Sequence, residues 1–257
     1  MSFQNLLDAP APILGTWSQI ASAEVVDIIA ASGFAFTIID TEHGVFGLET
    51  AADLIRACNA NRLEPIVRVP TNESWMIMKA LDAGAGTVLV PKIESPEAAQ
   101  AAVAAARYEP HGRRGACPCV RSGDQFVRDW PNYAAKANSS SGVMALVESP
   151  VGVEAFSDIA ATQGLKAVLF GPFDLSVAMG KEGNFRHPDV VSALETMTAQ
   201  ARKADLPVIM PVFSPDMDQA RREMQEWRAQ GVSAFTIGTD KLLMADYCSR
   251  YTAHLKN

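Results

Sequence analysis

No run of apolar residues in this chain approaches the length of a membrane span, so no transmembrane helix is expected. Positive charge is not in excess. Twenty-two Lys and Arg against 29 Asp and Glu leave a net charge of −7, which argues against non-specific attachment to nucleic acid or to an anionic membrane surface. The opening MSFQNLLDAPAP lacks a basic start followed by an apolar block, so no secretory signal is visible. Cysteine is scarce. Cys58, Cys117, Cys119 and Cys248 do not form a disulfide framework, which fits a reducing, cytoplasmic setting. Cys117-Pro118-Cys119 has no second pair to complete a metal site and reads mainly as loop packing. A Gly-rich phosphate fingerprint after the first strand is also missing, which disfavours an open dinucleotide-binding sheet.

What is present is a repeat. The chain has 257 residues, 48% of them hydrophobic, enough to bury one large α/β core. Short apolar runs at Ile13–Trp17, Phe36–Asp40, Ile66–Arg68, Thr87–Pro91, Val143–Glu148, Ala167–Gly171, Val208–Val212 and Ala234–Gly238 read as buried parallel strands. Helical patterns alternate with them. Ser22 starts one whose Val25, Ile28 and Ile29 share a face, and Asn72 starts another that ends at Gly84. Ser95-Pro96, Ser149-Pro150 and Ser214-Pro215 each stand after a strand, where a helix begins. Eight such pairs predict a (β/α)₈ barrel as one domain over residues 1–257, close to the ~250 residues usual for that fold.

The informative stretch is Val143–Gly180. Glu148 ends one strand there, and Gly171-Pro172 and then Asp174 follow the next. One helix between them is predicted, with Phe156, Ile159, Ala160 and Gln163 on a face and Gly164 at its end. Both carboxylates therefore fall at the C-terminal ends of neighbouring strands, where such barrels carry ligands and catalytic groups. With no Cys or His beside them, they suit a hard divalent cation; the alternative is that each caps a local turn. Asp40-Thr41-Glu42-His43-Gly44 follows the second strand and offers a base or a water-positioning group. Arg68 ends the third, ready for an enolate oxygen or carboxylate, or for an internal ion pair with Glu42 or Glu148. Phe173–Leu175 offers backbone N–H groups to a substrate carboxylate. Trp75-Met76-Ile77-Met78 reads as core filler or interface, and His187-Pro188 as a helix start.

One segment breaks the rhythm. Arg107–Ser141 is far longer than the connection requires, and it leaves from the bottom of the barrel. It reads equally as a wall of the site, with Arg113, Arg114 or Arg121 facing an anionic substrate, or as a surface excursion packed by Phe126, Trp130 and Tyr133.

Taken together, DTEHG at Asp40–Gly44, VRVP at Val67–Pro70, the stretch Ala80–Ala98, RGA at Arg114–Ala116, VESPVGVE at Val147–Glu154 and GPFDLSVAMG at Gly171–Gly180 resemble the metal-dependent class II pyruvate aldolases. These are the 4-hydroxy-2-oxoheptanedioate and 2-keto-3-deoxy sugar acid aldolases, and the resemblance runs from about Leu14 to Met244. It implies a barrel of the pyruvate-binding superfamily and a divalent metal ion (Mg²⁺, Mn²⁺ or Co²⁺) on Glu148 and Asp174. It implies a 2-oxo acid chelating that metal, with Arg68 steadying the keto oxygen. Gly171, Pro172, Phe173 and Leu146 then line the substrate. It implies His43 as the proton-moving residue with Asp82 as its acidic partner. It implies cleavage of 4-hydroxy-2-oxo acids to pyruvate and an aldehyde, with oxaloacetate decarboxylation alongside. It also implies a hexamer, a trimer of dimers, with C-terminal helices exchanged between subunits.

Two departures bear on the aldehyde. Sugar-acid members often carry Gln where this chain has Leu146, and a small residue where it has Phe173. Short or apolar aldehydes are therefore expected over polyhydroxylated ones. Asp82 lies one turn before Gly84, at the bottom end of its helix, roughly 12–15 Å below the level of His43. An Asp82–His43 pair then requires a neighbouring subunit. A CoA-ester lyase of the citryl/malyl type, a non-catalytic binding barrel and a Schiff base on Lys92 are the competing expectations.

Overall fold

The computed structural model describes residues 3–7 and 12–256. Eight strands, β1 (Ile13–Ser18), β2 (Phe36–Asp40), β3 (Glu64–Arg68), β4 (Thr87–Val90), β5 (Gly142–Val147), β6 (Leu165–Phe170), β7 (Val208–Val212) and β8 (Ala234–Thr239), pair in parallel and in chain order. Pairing of β1 with β8 closes the barrel. Adjacent side chains on a strand point to opposite faces, and the core divides accordingly. Ile38, Ile66, Leu89, Met144, Leu146 and Leu169 fill the interior. Ile39, Val67, Val88, Ala145, Val147 and Val168 face the helices. Gly15 is required inside, because a Cβ there would fall 2.3 Å from the Phe36 ring.

Helices α1 (Phe3–Leu7), α2 (Ala23–Ala31), α3 (Leu48–Ala60), α4 (Ser74–Asp82), α5 (Pro96–Ala106), α6 (Trp130–Ser140), α7 (Pro150–Glu154) and α8 (Phe156–Ala160) occupy the first part of the chain. They are followed by α9 (Pro172–Ala178), α10 (Pro188–Lys203), α11 (Met217–Ala229) and α12 (Asp240–Lys256). Phe3 and Leu6 of α1 join the interior cluster together with Ile13 at the start of β1. Among the described residues no helix is long and apolar enough to cross a membrane.

Several local expectations are corrected. Ile28 is exposed, and Val26 joins Ile29 on the buried face of α2, because a 100° step per residue turns Ile28 away. The segment after β5 is two short helices meeting at Ala155, and Gln163 is exposed. Ser95 and Ser149 cap their helices by accepting from Ala98 and Gly152 N–H. After β7 that role falls to Asp216, which accepts from Gln219 N–H, not to Ser214. Glu73, not Asn72, precedes the first turn of α4. His187 does stand at the start of α10, its Nδ1 accepting from Asp189 N–H at 3.2 Å.

The long insertion stays at the bottom. It forms a short 3₁₀ turn at Arg121–Gly123 and then α6, whose Trp130 and Tyr133 pack against Tyr108. With the ends of β3 and β4 it encloses a cavity of about 580 Å³ at the strands' N-terminal ends. Arg114 is buried under Tyr108 and donates to Asp82 at 2.6 Å. The reading of this segment as a wall of the catalytic end of its own barrel is thus overturned: Arg114 is consumed by an internal ion pair. Phe126 is exposed, so Trp130 and Tyr133 do the packing. Cys117 and Cys119 lie exposed in the same segment.

Candidate active site

At the opposite end the strands deliver their last side chains into one small cavity of about 130 Å³. Trp17 lies on β1 and Gln19 just after it, His43 in the turn after β2, Arg68 at the end of β3, Leu146 on β5 and Glu148 just after it. Gly171, Pro172, Phe173 and Asp174 follow β6, and Pro211, Phe213 and Thr239 come from β7 and β8. A groove of about 790 Å³ between α10 and α11 is larger. We place the site in the small cavity because only there do strand-end carboxylates, a buried guanidinium and a histidine converge.

Glu148 is 8% exposed. One of its oxygens accepts from the Lys92 backbone N–H at 3.1 Å. Burial, and then the charge of Asp174, push its carboxyl up to about 7, against the pull of the Lys92 N–H and Arg68. Asp174 stands in the first turn of α9 and is exposed to the mouth. Gly171 makes this geometry feasible: a Cβ there would lie 2.6 Å from Glu148 Cβ and 2.9 Å from its Oε2. A pair of carboxylates, one buried without a cationic partner, is a donor set that fits a hard divalent ion with most positions left to water and substrate. Among the described residues no group of three or more His, Cys, Asp or Glu is placed to hold a metal ion by itself.

Arg68 is held on all sides. Its Nε and Nη2 donate to the two oxygens of Asp40 at 2.9 and 2.7 Å. Its Nη1 lies 3.1 Å from Glu42 Oε2. That contact lacks hydrogen-bond alignment, and Glu42 Oε2 is left buried without a hydrogen-bond partner. The guanidinium carbon sits 4.5 Å from the Trp17 ring centre. Of the two foreseen ion-pair partners, Glu42 is present and Glu148 is not; Asp40 is the dominant one. Of its five N–H groups only two are spent in hydrogen bonds, both on Asp40, so three remain.

Asp40 is the hub that sequence reasoning underrated. Besides Arg68 it accepts from Gln19 Nε2 at 2.8 Å and from the backbone N–H groups of Glu42 and His43 at 3.1 Å each. Burial alone would raise its carboxyl, but the Arg68 hydrogen bonds and charge, with Gln19 and the His43 N–H, hold it below the usual range. For Glu42 burial prevails over the attraction of Arg68 and His43, and its carboxyl is raised. His43 itself is exposed at the mouth.

Phe173 lines the cavity with its ring against Gly183. Phe213 lines it too and is braced by Phe185 edge-on at 5.9 Å between ring centres. Phe213 carried no signal in sequence beyond its place after a strand. Leu175 N–H is consumed by the Gly171 carbonyl at 2.9 Å, so only Phe173 and Asp174 remain as free first-turn donors of α9. Asp82 is absent from the cavity of its own chain, as the geometry of α4 requires. Lys92 is exposed, lies outside the cavity lining and has φ +52.

Residues 14–246 match the family described as HpcH/HpaI aldolase/citrate lyase. A 5-keto-4-deoxy-D-glucarate aldolase of Salmonella arizonae is 34% identical over 246 residues, covering 93% of this chain and 94% of that protein. The crystal structure of an aldolase/citrate lyase family protein from Burkholderia cenocepacia superposes with a TM-score of 0.90 at 32% identity, over 99% of this chain and 98% of that one. A citrate lyase beta subunit from M. tuberculosis, solved with oxaloacetate and magnesium, shares the fold at TM-score 0.61 and 18% identity, over 94% and 98% of the two chains.

Proposed function

The chain belongs to the HpcH/HpaI aldolase/citrate lyase family and is a carbon–carbon lyase, and from that premise we propose that it cleaves 4-hydroxy-2-oxo acids to pyruvate and an aldehyde. Decarboxylation of oxaloacetate follows from the same chemistry. The observation that carries the reading is the buried Glu148 facing Asp174 with the Arg68 guanidinium in the same cavity. A divalent ion (Mg²⁺, Mn²⁺ or Co²⁺) held by Glu148 and Asp174 would supply Lewis acidity toward the keto oxygen.

The chain's own groups do the rest. A base at the mouth, His43 directly or through water, takes the proton of the C4 hydroxyl. The C3–C4 bond breaks, its electron pair passes toward the keto oxygen, and an aldehyde leaves. N–H groups of Arg68 not spent on Asp40 meet the charge that develops there, the guanidinium being already fixed in place by Asp40 and Trp17. Return of a proton to C3 gives pyruvate. Gly171, Pro172 and Leu146 shape the floor, while the rings of Phe213 and of the half-exposed Phe173 line the cavity with apolar faces. These faces support short or apolar aldehydes over hydroxylated ones. A panel of 2-oxo acids bearing either kind of aldehyde portion should show metal-dependent release of pyruvate, faster for the apolar members. Turnover undiminished in excess chelator would refute the reading and turn attention back to Lys92. Selective turnover of a CoA ester would instead favour the citryl/malyl type.

The assembly belongs to the same proposal. Helix α12 buries only Asp240 and exposes Leu243, Met244, Tyr247, Tyr251 and Leu255. Such a stripe supports exchange of this helix with another copy, in a hexamer built as a trimer of dimers. A neighbour's Asp82 would then reach His43, its Oδ1 already anchored by Arg114. Sedimentation velocity should give a species of several subunits, and a monomer at micromolar concentration would end this part of the reading.

A further inference from the structure

We propose that Asp240 is a positioning residue for Arg68, acting through Gln19 and Asp40. The inference rests on the role given to Arg68 above. Asp240 is the first residue of α12 and is 6% exposed. One of its oxygens serves its own helix, accepting from Lys241 N–H at 2.7 Å. The other accepts from the backbone N–H groups of Gln19 and Ile20, both at 2.9 Å. The helix has a second cap in Thr239, whose Oγ1 accepts from Leu242 N–H at 3.0 Å. The oxygen aimed at residues 19 and 20 therefore does nothing for α12. What it does is fix the loop after β1.

That loop carries the next link. With its backbone tied down, Gln19 extends its side-chain amide to Asp40 Oδ2 at 2.8 Å. The same oxygen receives Arg68 Nη2 at 2.7 Å. The chain Asp240–Gln19–Asp40–Arg68 thus runs from the first turn of the last helix to the guanidinium. A second support reaches Arg68 from β8 by packing: Thr236 accepts from Trp17 Nε1 at 3.2 Å, and the Trp17 ring lies against the guanidinium. Each link spans residues at least 21 positions apart in sequence. Loss of Asp240 leaves Gln19 free to swing, and Asp40 then holds Arg68 with one partner fewer on its outer oxygen.

The test is exchange of the pyruvate methyl protons for deuterium in the presence of Mg²⁺ or Mn²⁺, a half-reaction that needs no aldehyde. Asp240→Ala and Gln19→Ala should each lower the exchange kcat about tenfold, with KM for pyruvate within about twofold, since a misplacement of about 1 Å can cost about 10²-fold and the shift expected here is smaller. The double variant should lose about as much as either single one, because both cut the same chain. Asp240→Asn keeps an acceptor for the two amides and should recover most of the rate. Rate losses that multiply in the double variant, or an unchanged kcat in Gln19→Ala, would overturn the relay. Should Asp240→Ala fail to fold, Asp240→Ser takes its place: its hydroxyl is too short to reach the Gln19 and Ile20 N–H groups while Thr239 still caps α12, and a wild-type exchange kcat in it would overturn the relay. Absence of exchange in the metal-loaded wild type would overturn the underlying reading of the site instead, and the relay with it.

Discussion

Arg68→Ala should retain about one part in 10²–10³ of the wild-type kcat for pyruvate methyl exchange, with KM raised far less. The keto oxygen of the bound acid carries a partial charge, whereas in the transition state it approaches a full one. A donor aimed at it therefore gains more as the reaction proceeds than it does on binding. Removal of one such preorganised donor typically costs about 10²–10³-fold in rate. Asp40 adds a second consequence. It is buried with Arg68 as its counter-ion, and an unpaired buried charge costs about 3–5 kcal/mol. Stability that depends on this carboxylate is present above the ordinary carboxyl range and lost as pH falls through its lowered value. Arg68→Lys separates the two effects. It keeps a positive charge beside Asp40 and preserves most of the stability, but it cannot make the two-pronged contact, so the rate should still fall. Thermal melts and exchange rates on both variants check this, and unimpaired exchange in Arg68→Ala would remove the residue from the mechanism.

The barrel was legible because its signals are local. Continuous apolar character on eight short runs, with helix-start residues after several of them, needs no knowledge of distant contacts, and all eight strands were located to within a few residues of their ends. The residues at strand ends were legible for the same reason: a parallel barrel puts Glu148, Arg68 and the turn after Asp40 at one end whatever the details. The family resemblance covered the same positions and supplied the chemistry that position alone leaves open.

What escaped depends on closure of the barrel. Gln19 and Asp240 are 221 positions apart and meet only because β1 and β8 pair. Trp17 takes its place against Arg68 by the same closure. Asp40 stands directly opposite Arg68 in the register of β2 and β3, so its bidentate contact was within reach of a register argument. The insertion misled because its arginines suggested an anion site. The destination of Arg114 is set by Asp82 and the Tyr108 ring, which no short motif announces, and Arg113 is exposed.

Glu148→Gln should abolish turnover, by on the order of 10³-fold or more, since the ion proposed to sit on this residue would supply several kcal/mol of Lewis acidity and each ~1.4 kcal/mol is tenfold. The amide keeps the shape and the acceptor for Lys92 N–H but loses the charge that a cation requires. The fold should not suffer. In the metal-free chain Glu148 titrates at about 7, above its ordinary 4.5, because burial and Asp174 disfavour its charged form. The folded state therefore holds this proton more tightly than the unfolded chain. Its contribution is favourable at low pH and lost as pH rises toward 7, leaving a charged, buried group that costs on the order of 3 kcal/mol. Glu148→Gln removes that cost, so at pH 8 without metal the variant should melt several degrees above the wild type. Added Mg²⁺ or Mn²⁺ should raise the wild-type melting temperature and leave that of the variant unmoved. A proton competes for the same carboxylate, so the apparent metal affinity of the wild type should fall about tenfold per pH unit below 7. Calorimetric titration from pH 5.5 to 8 checks the slope. A Glu148→Gln variant that still binds the ion with wild-type affinity and still turns over would place the metal elsewhere and dismantle the site described here.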